Sequence, residues 1–231
     1  MITENDNDRI REINKVLWII LGLNFAVSIM KLIVGYTISS ASMVADGFHS
    51  FSDGSSNIVG LVGTALAAKP ADESHPYGHK KFETFTAIGI ALLLFIVSTN
   101  IIKSGIAKLT NPVVPQVDVL SFMVMIITMA INIFVIIYET REGKKLHSDI
   151  LVSDAIHTKS DVYVSLSVIL SLIAVKLGYP ILDPIISFII SIAIIKAAIE
   201  ILVNSSKVLC VAAVIDPGDV IALVSKIEGV L

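Results

Sequence analysis

Apolar residues gather into six long runs separated by short polar breaks. The runs cover roughly 16–38, 43–67, 84–107, 117–139, 150–175 and 181–203, each near the ~17–25 residues an α-helix needs to cross hydrocarbon. Turn formers punctuate them, among them Thr110-Asn111-Pro112 and Leu177-Gly178-Tyr179-Pro180. This pattern predicts an all-α membrane protein with six transmembrane helices. Its organisation reads as an N-terminal segment over 1–15, a transmembrane domain over 16–206 and the start of a further domain over 207–231.

Composition agrees with lipid as the solvent. The chain is 55% hydrophobic and only 16% charged, with a mean hydropathy of +0.84, whereas a soluble domain is about a quarter charged. A net charge of -3 supplies no basic field for nucleic acid. A single cysteine, Cys210, excludes an intrachain disulfide and any multi-cysteine metal cage. The opening MITENDNDRIREINK has neither the basic start nor the cleavage site of a secretory signal, so the first run is expected to remain as a span.

Basic residues set the expected orientation. Arg9, Arg11, Lys15, Lys69, Lys80, Lys81, Arg141, Lys144, Lys145, Lys207 and Lys226 fall on one side, against Lys103, Lys108 and Lys176 on the other. By the positive-inside rule both termini, the 68–83 loop and the 140–149 loop are cytoplasmic. Lys196 lies near a helix end, where it can snorkel. Lys31 and Lys159 lie deeper and call for partners that the sequence does not name.

Charge within these runs changes the picture further. A carboxylate or a cation in mid-bilayer costs on the order of 2.5 kcal/mol or more, so each one asks for a reason. Run two contains ADGFHSFSD with Asp46, His49 and Asp53; run five contains SDAIHTKSD with Asp154, His157 and Asp161. Both read D-x-x-H-x-x-S-D, in helices that cross in opposite senses, as in an inverted repeat. The i, i+4 spacing puts His49 with Asp53, and His157 with Asp161, on one helix face. At a rise of ~1.5 Å per residue, Asp53 lies about 15 Å and Asp161 about 13 Å from the outer surface of a ~30 Å core. Two imidazoles and two carboxylates converging at mid-membrane suit a tetrahedral transition metal, zinc first. A single such residue would read as hydrogen-bonding glue between helices; a duplicated, depth-matched set reads as a metal site. Asp46 and Asp154, three residues before the histidines, are candidates to orient the imidazoles or to serve the structure alone.

These segments, with the loop KPADESHPYGHKKFE, resemble the cation diffusion facilitator family across nearly the whole chain. The resemblance implies a six-helix metal/proton antiporter working as a homodimer in the cell membrane, with His49, Asp53, His157 and Asp161 as its transport site. Members with histidine in both pairs are mostly zinc transporters; relatives move cadmium, cobalt, nickel or iron. Asp72, His75 and His79 offer an oxygen and two nitrogens in a loop that Pro76 and Gly78 can bend. Alone, such a turn reads as solvated surface, but the resemblance implies a second, more labile metal site there. His147 reads as loop surface. Beyond Ser206, Asp216-Pro217-Gly218-Asp219 and the helical pattern after it resemble the first helix of the family's cytoplasmic α/β domain, which is incomplete at Leu231.

Metal ligands must be deprotonated, so metal and protons compete for the same groups. Zn(2+) as transported substrate, exchanged for protons, is the expected activity, with no permanently bound cofactor and no enzymatic reaction. No G-x-x-x-x-G-K-[ST] loop and no H-E-x-x-H occur, which speaks against nucleotide-driven transport and an intramembrane metallohydrolase. The alternative is a non-transporting metal sensor or assembly partner of the same fold.

Overall fold

The computed structural model describes residues 4–67, 80–110 and 113–210. Six helices follow one another: α1 (Glu4–Thr37), α2 (Ala41–Ala67), α3 (Lys80–Thr110), α4 (Val119–Lys145), α5 (Asp149–Lys176) and α6 (Leu182–Leu209). Each expected run corresponds to one of them, with Ile38, Val117, Asp118 and Ile181 falling just outside the helix bounds. No strand occurs among the described residues. The expected loop site (Asp72, His75, His79) and the tail after Cys210 lie outside the described residues. The helices overrun the apolar runs because polar flanks continue them, as when α1 begins at Glu4 and α4 continues to Lys145.

The outer surface is apolar, and the interior mixes an apolar core with buried polar and charged side chains. Ile33, Ile96, Ile137, Tyr163 and Ile192 are all more than 60% exposed, while Ser28, Lys31, Asp46, Thr128, Glu139 and Ser165 are buried. Lipid solvates apolar side chains outside, and polar groups find partners only within the bundle. Five helices, α1 and α3 to α6, carry a window long and apolar enough to cross a membrane; α2 does not meet that measure. Packing explains why α2 differs. It touches α1, α3, α5 and α6, and Ala41 through Gly47 are all buried in it. A helix enclosed by others need not be apolar.

The bundle is built on a repeat far longer than the D-x-x-H-x-x-S-D motif. Asp154 stands 108 positions after Asp46. The same offset relates Asn24 to Asn132, Gly35 to Gly143, Ser39 to His147 and Val44 to Val152. Ser39 (φ 59°) and His147 (φ 46°) both adopt the left-handed conformation in the tight turns that join α1 to α2 and α4 to α5. A Cβ on Gly35 would lie 2.9 Å from the Val44 amide nitrogen, and one on Gly143 2.9 Å from Val152 Cγ2. Each hairpin therefore closes glycine against valine beside the turn.

At the end of the bundle that holds the α1–α2 turn, Asp183 of α6 caps the start of α2. Its buried carboxylate accepts from Ser40 Oγ (2.6 Å), Ala41 N (2.7 Å), Ser42 N (3.1 Å) and Ser42 Oγ (2.6 Å). An anion there satisfies orphan amides and the positive helix terminus together. Lys108 of α3 donates to the Ser39 carbonyl and lies 3.8 Å from Asp183 Oδ2, so α2, α3 and α6 share one anchor.

Candidate metal centre

The middle of the bundle brings together His49 and Asp53 of α2 with Asp161 of α5. One ligand atom from each lies within 4.8 Å of the other two. His49 Nε2 is 3.3 Å from Asp161 Oδ1, and their side chains are 15% and 8% exposed. His49 Nδ1 and Asp53 Oδ2 are buried without a hydrogen-bond partner. Orphaned acceptor and imidazole atoms this deep are costly unless they serve something not provided by the protein. One nitrogen and carboxylate oxygens at this spacing fit a divalent transition metal.

His157, the fourth expected ligand, is exposed and lies outside this group. Spacing alone placed it on the face of Asp161. The buried line of α5 passes through Thr158, Asp161, Ser165 and Val168, and at ~100° per residue its centre lies on the flank of Asp161 away from His157. His157 shares its outward flank with exposed Ser153 and Ser160. Lys159, expected to need a partner, is also exposed.

The two aspartates assigned to support the histidines are engaged elsewhere. Lys31 Nζ donates to Asp46 Oδ1 (2.9 Å), Ser50 Oγ (3.0 Å) and Ser165 Oγ (2.8 Å), and Ser165 Oγ lies 3.1 Å from Asp46 Oδ2. This answers where Lys31 finds its counter-charge: both groups are fully buried, and the pair joins α1 to α2 beside α5. Neither nitrogen of His49 is bonded to Asp46, since Nε2 faces Asp161 and Nδ1 is unpartnered. Asp154 Oδ2 accepts from Asn57 Nδ2 at 3.0 Å, and its carboxylate faces that of Glu139. Glu139 of α4 was missed in the sequence because it sits at the fringe of an apolar run, where a carboxylate ordinarily reaches water. Its offset of 108 from Lys31 was the available signal.

Comparison with known proteins supplies a family context. Residues 17–210 match the profile of the cation efflux transmembrane domain. An uncharacterized transporter of Methanocaldococcus jannaschii, MJ0449, is 36% identical over 191 residues, covering 83% of this chain and 68% of the relative. Two proteins of Bacillus subtilis are named manganese efflux system proteins. MneP is 32% identical over 84% of this chain and 68% of its own length. MneS is 28% identical over 78% of this chain and 62% of its own. The chain thus spans about two thirds of the length of these relatives.

Proposed function

This chain belongs to the cation diffusion facilitator family of cation efflux transporters, and we propose that it exports a divalent transition metal from the cytoplasm through His49, Asp53 and Asp161. The observation that carries this reading is the triad itself, with two buried, unpartnered ligand atoms inside the helical bundle. Imidazole and carboxylate bind metal only when deprotonated, so protons arriving from outside displace the ion and drive export by antiport. Alternation between the two faces would follow from rocking of the paired hairpins about the triad. A homodimer in the cell membrane, with both termini cytoplasmic, completes the proposal. A partner relieved of transport would have no use for paired carboxylates in lipid, which disfavours a non-transporting role.

Zinc is the cargo that two histidines favour, provided His157 turns inward to join the triad. Manganese is the second reading, supported by the exposed position of His157 and the oxygen-rich set that remains. Relatives named for manganese efflux also point that way. Uptake of a metal panel into inverted vesicles with an imposed pH gradient tests both. Zinc transport abolished by His157→Ala is expected on the first reading; manganese transport indifferent to that change is expected on the second. Transport that survives collapse of the gradient would sink the antiport step.

A further inference from the structure

At an offset of 108 the internal repeat answers buried Lys31 with buried Glu139, a reversal of charge. In the first half, Lys31 pairs with Asp46 while Ser50 and Ser165 complete the cluster. Moving each by 108 positions gives Glu139, Asp154 and Thr158, and moving Ser165 back gives Asn57. These four also meet in space. Thr158 Oγ1 is 3.4 Å from Glu139 Oε2, Asn57 Nδ2 is 3.0 Å from Asp154 Oδ2, and the two carboxylates lie within hydrogen-bonding reach of each other. The clusters correspond member for member, except that a carboxylate stands where the ammonium was. Glu139 is fully buried, and its Oε1 has no donor. Two carboxylates this close repel unless they share a proton or hold a cation between them.

We propose that Glu139 and Asp154, with Asn57 and Thr158, form a second divalent-cation site, in which a metal ion takes the place that the Lys31 ammonium fills in the other half. Charge supports a divalent ion: Lys31 with Asp46 is neutral, and two carboxylates become neutral with one M2+. The candidate donors, two carboxylates and the Thr158 hydroxyl, are all oxygens, and Asn57 steadies one of them through its Nδ2 bond to Asp154 Oδ2. That set suits a hard cation of the manganese type. Its position suits a stop on the way to the triad. Asp154 lies about 10 Å along α5 from Asp161, toward the bundle end that holds the α4–α5 turn. Both carboxylates remain within electrostatic reach of the triad aspartates.

As a stop on a route the site rests on the transport reading; as a binding site it does not, and the test separates the two. The full chain is purified in detergent with the triad and loop ligands removed (His49→Ala, Asp53→Asn, Asp161→Asn, Asp72→Asn, His75→Ala, His79→Ala). Mn2+ binding is measured by equilibrium dialysis. One Mn2+ per chain is expected, weakened about tenfold or more by Glu139→Gln or Asp154→Asn. Glu139→Lys should abolish Mn2+ binding yet unfold at or above the temperature of the metal-free parent, because the new ammonium recreates the Lys31 pair. Gln and Asn at these positions nearly preserve shape, so they report even if the lysine variant fails to fold. No Mn2+ bound by the parent, or binding indifferent to both Glu139→Gln and Asp154→Asn, would overturn the site and leave a pair that shares a proton. Vesicle transport by the otherwise unaltered protein, measured in parallel, reports on the transport reading whatever the dialysis gives.

Discussion

Replacing Lys31 by methionine should be among the most damaging single changes outside the metal centre. The methionine fills most of the same volume but removes the cation bonded to Asp46 and three donated hydrogen bonds, at 2.9, 3.0 and 2.8 Å. Breaking a buried ion pair from one side costs about 3–5 kcal/mol, chiefly because the other charge stays buried alone. In a bilayer the unfolded helices also find polar partners, which moves the expectation to the low end, about 3 kcal/mol. That is roughly a hundredfold in the folding equilibrium. Removing both charges, as Lys31→Met with Asp46→Leu, should come back to within about 1 kcal/mol of the parent, since an apolar pair of similar volume replaces a desolvated one. The assay is unfolding in mixed micelles with increasing dodecyl sulfate, over all four corners of the double-mutant cycle. A Lys31→Met cost under about 1 kcal/mol, or a double variant no better than the single one, would refute the reasoning.

Other expectations follow from the same structure. Asp53→Ala or Asp161→Ala should reduce metal transport to background in the vesicle assay while the protein still elutes as a folded species; full activity in either would remove the triad assignment. Gly35→Ala places a methyl 2.9 Å from the Val44 backbone, which cannot give way as a side chain could. It should cost about 1–3 kcal/mol in the micelle assay, whereas Gly22→Ala, with open space around it, should be harmless. Asp183→Ala strips four donors at the start of α2 of their acceptor. A loss of about 2–4 kcal/mol is expected, with faster amide exchange at Ala41 and Ser42 as the local signature.

The sequence by itself determined the class and the helices of the described residues, and it singled out the three residues that meet in the candidate metal centre. Lipid imposes one strong rule, that long apolar stretches become helices, and six runs obeying it were legible without any contact information. The expense of charge in hydrocarbon likewise made His49, Asp53 and Asp161 stand out wherever the helices were to pack. Periodicity could not decide helix rotation. A residue at i+4 shares a face only approximately, and the packing of α5 against α2 and α4 left Asp161 inside and His157 outside. Nor could spacing choose partners for Asp46 and Asp154. Lys31 and Glu139 come from other helices, and which ions pair across a bundle depends on how hairpins close, here glycine against valine at each turn. Only with the two hairpins in place did the 108-residue correspondence acquire a meaning, since it takes neighbours in space to show that Glu139 meets Asp154 in one half as Lys31 meets Asp46 in the other.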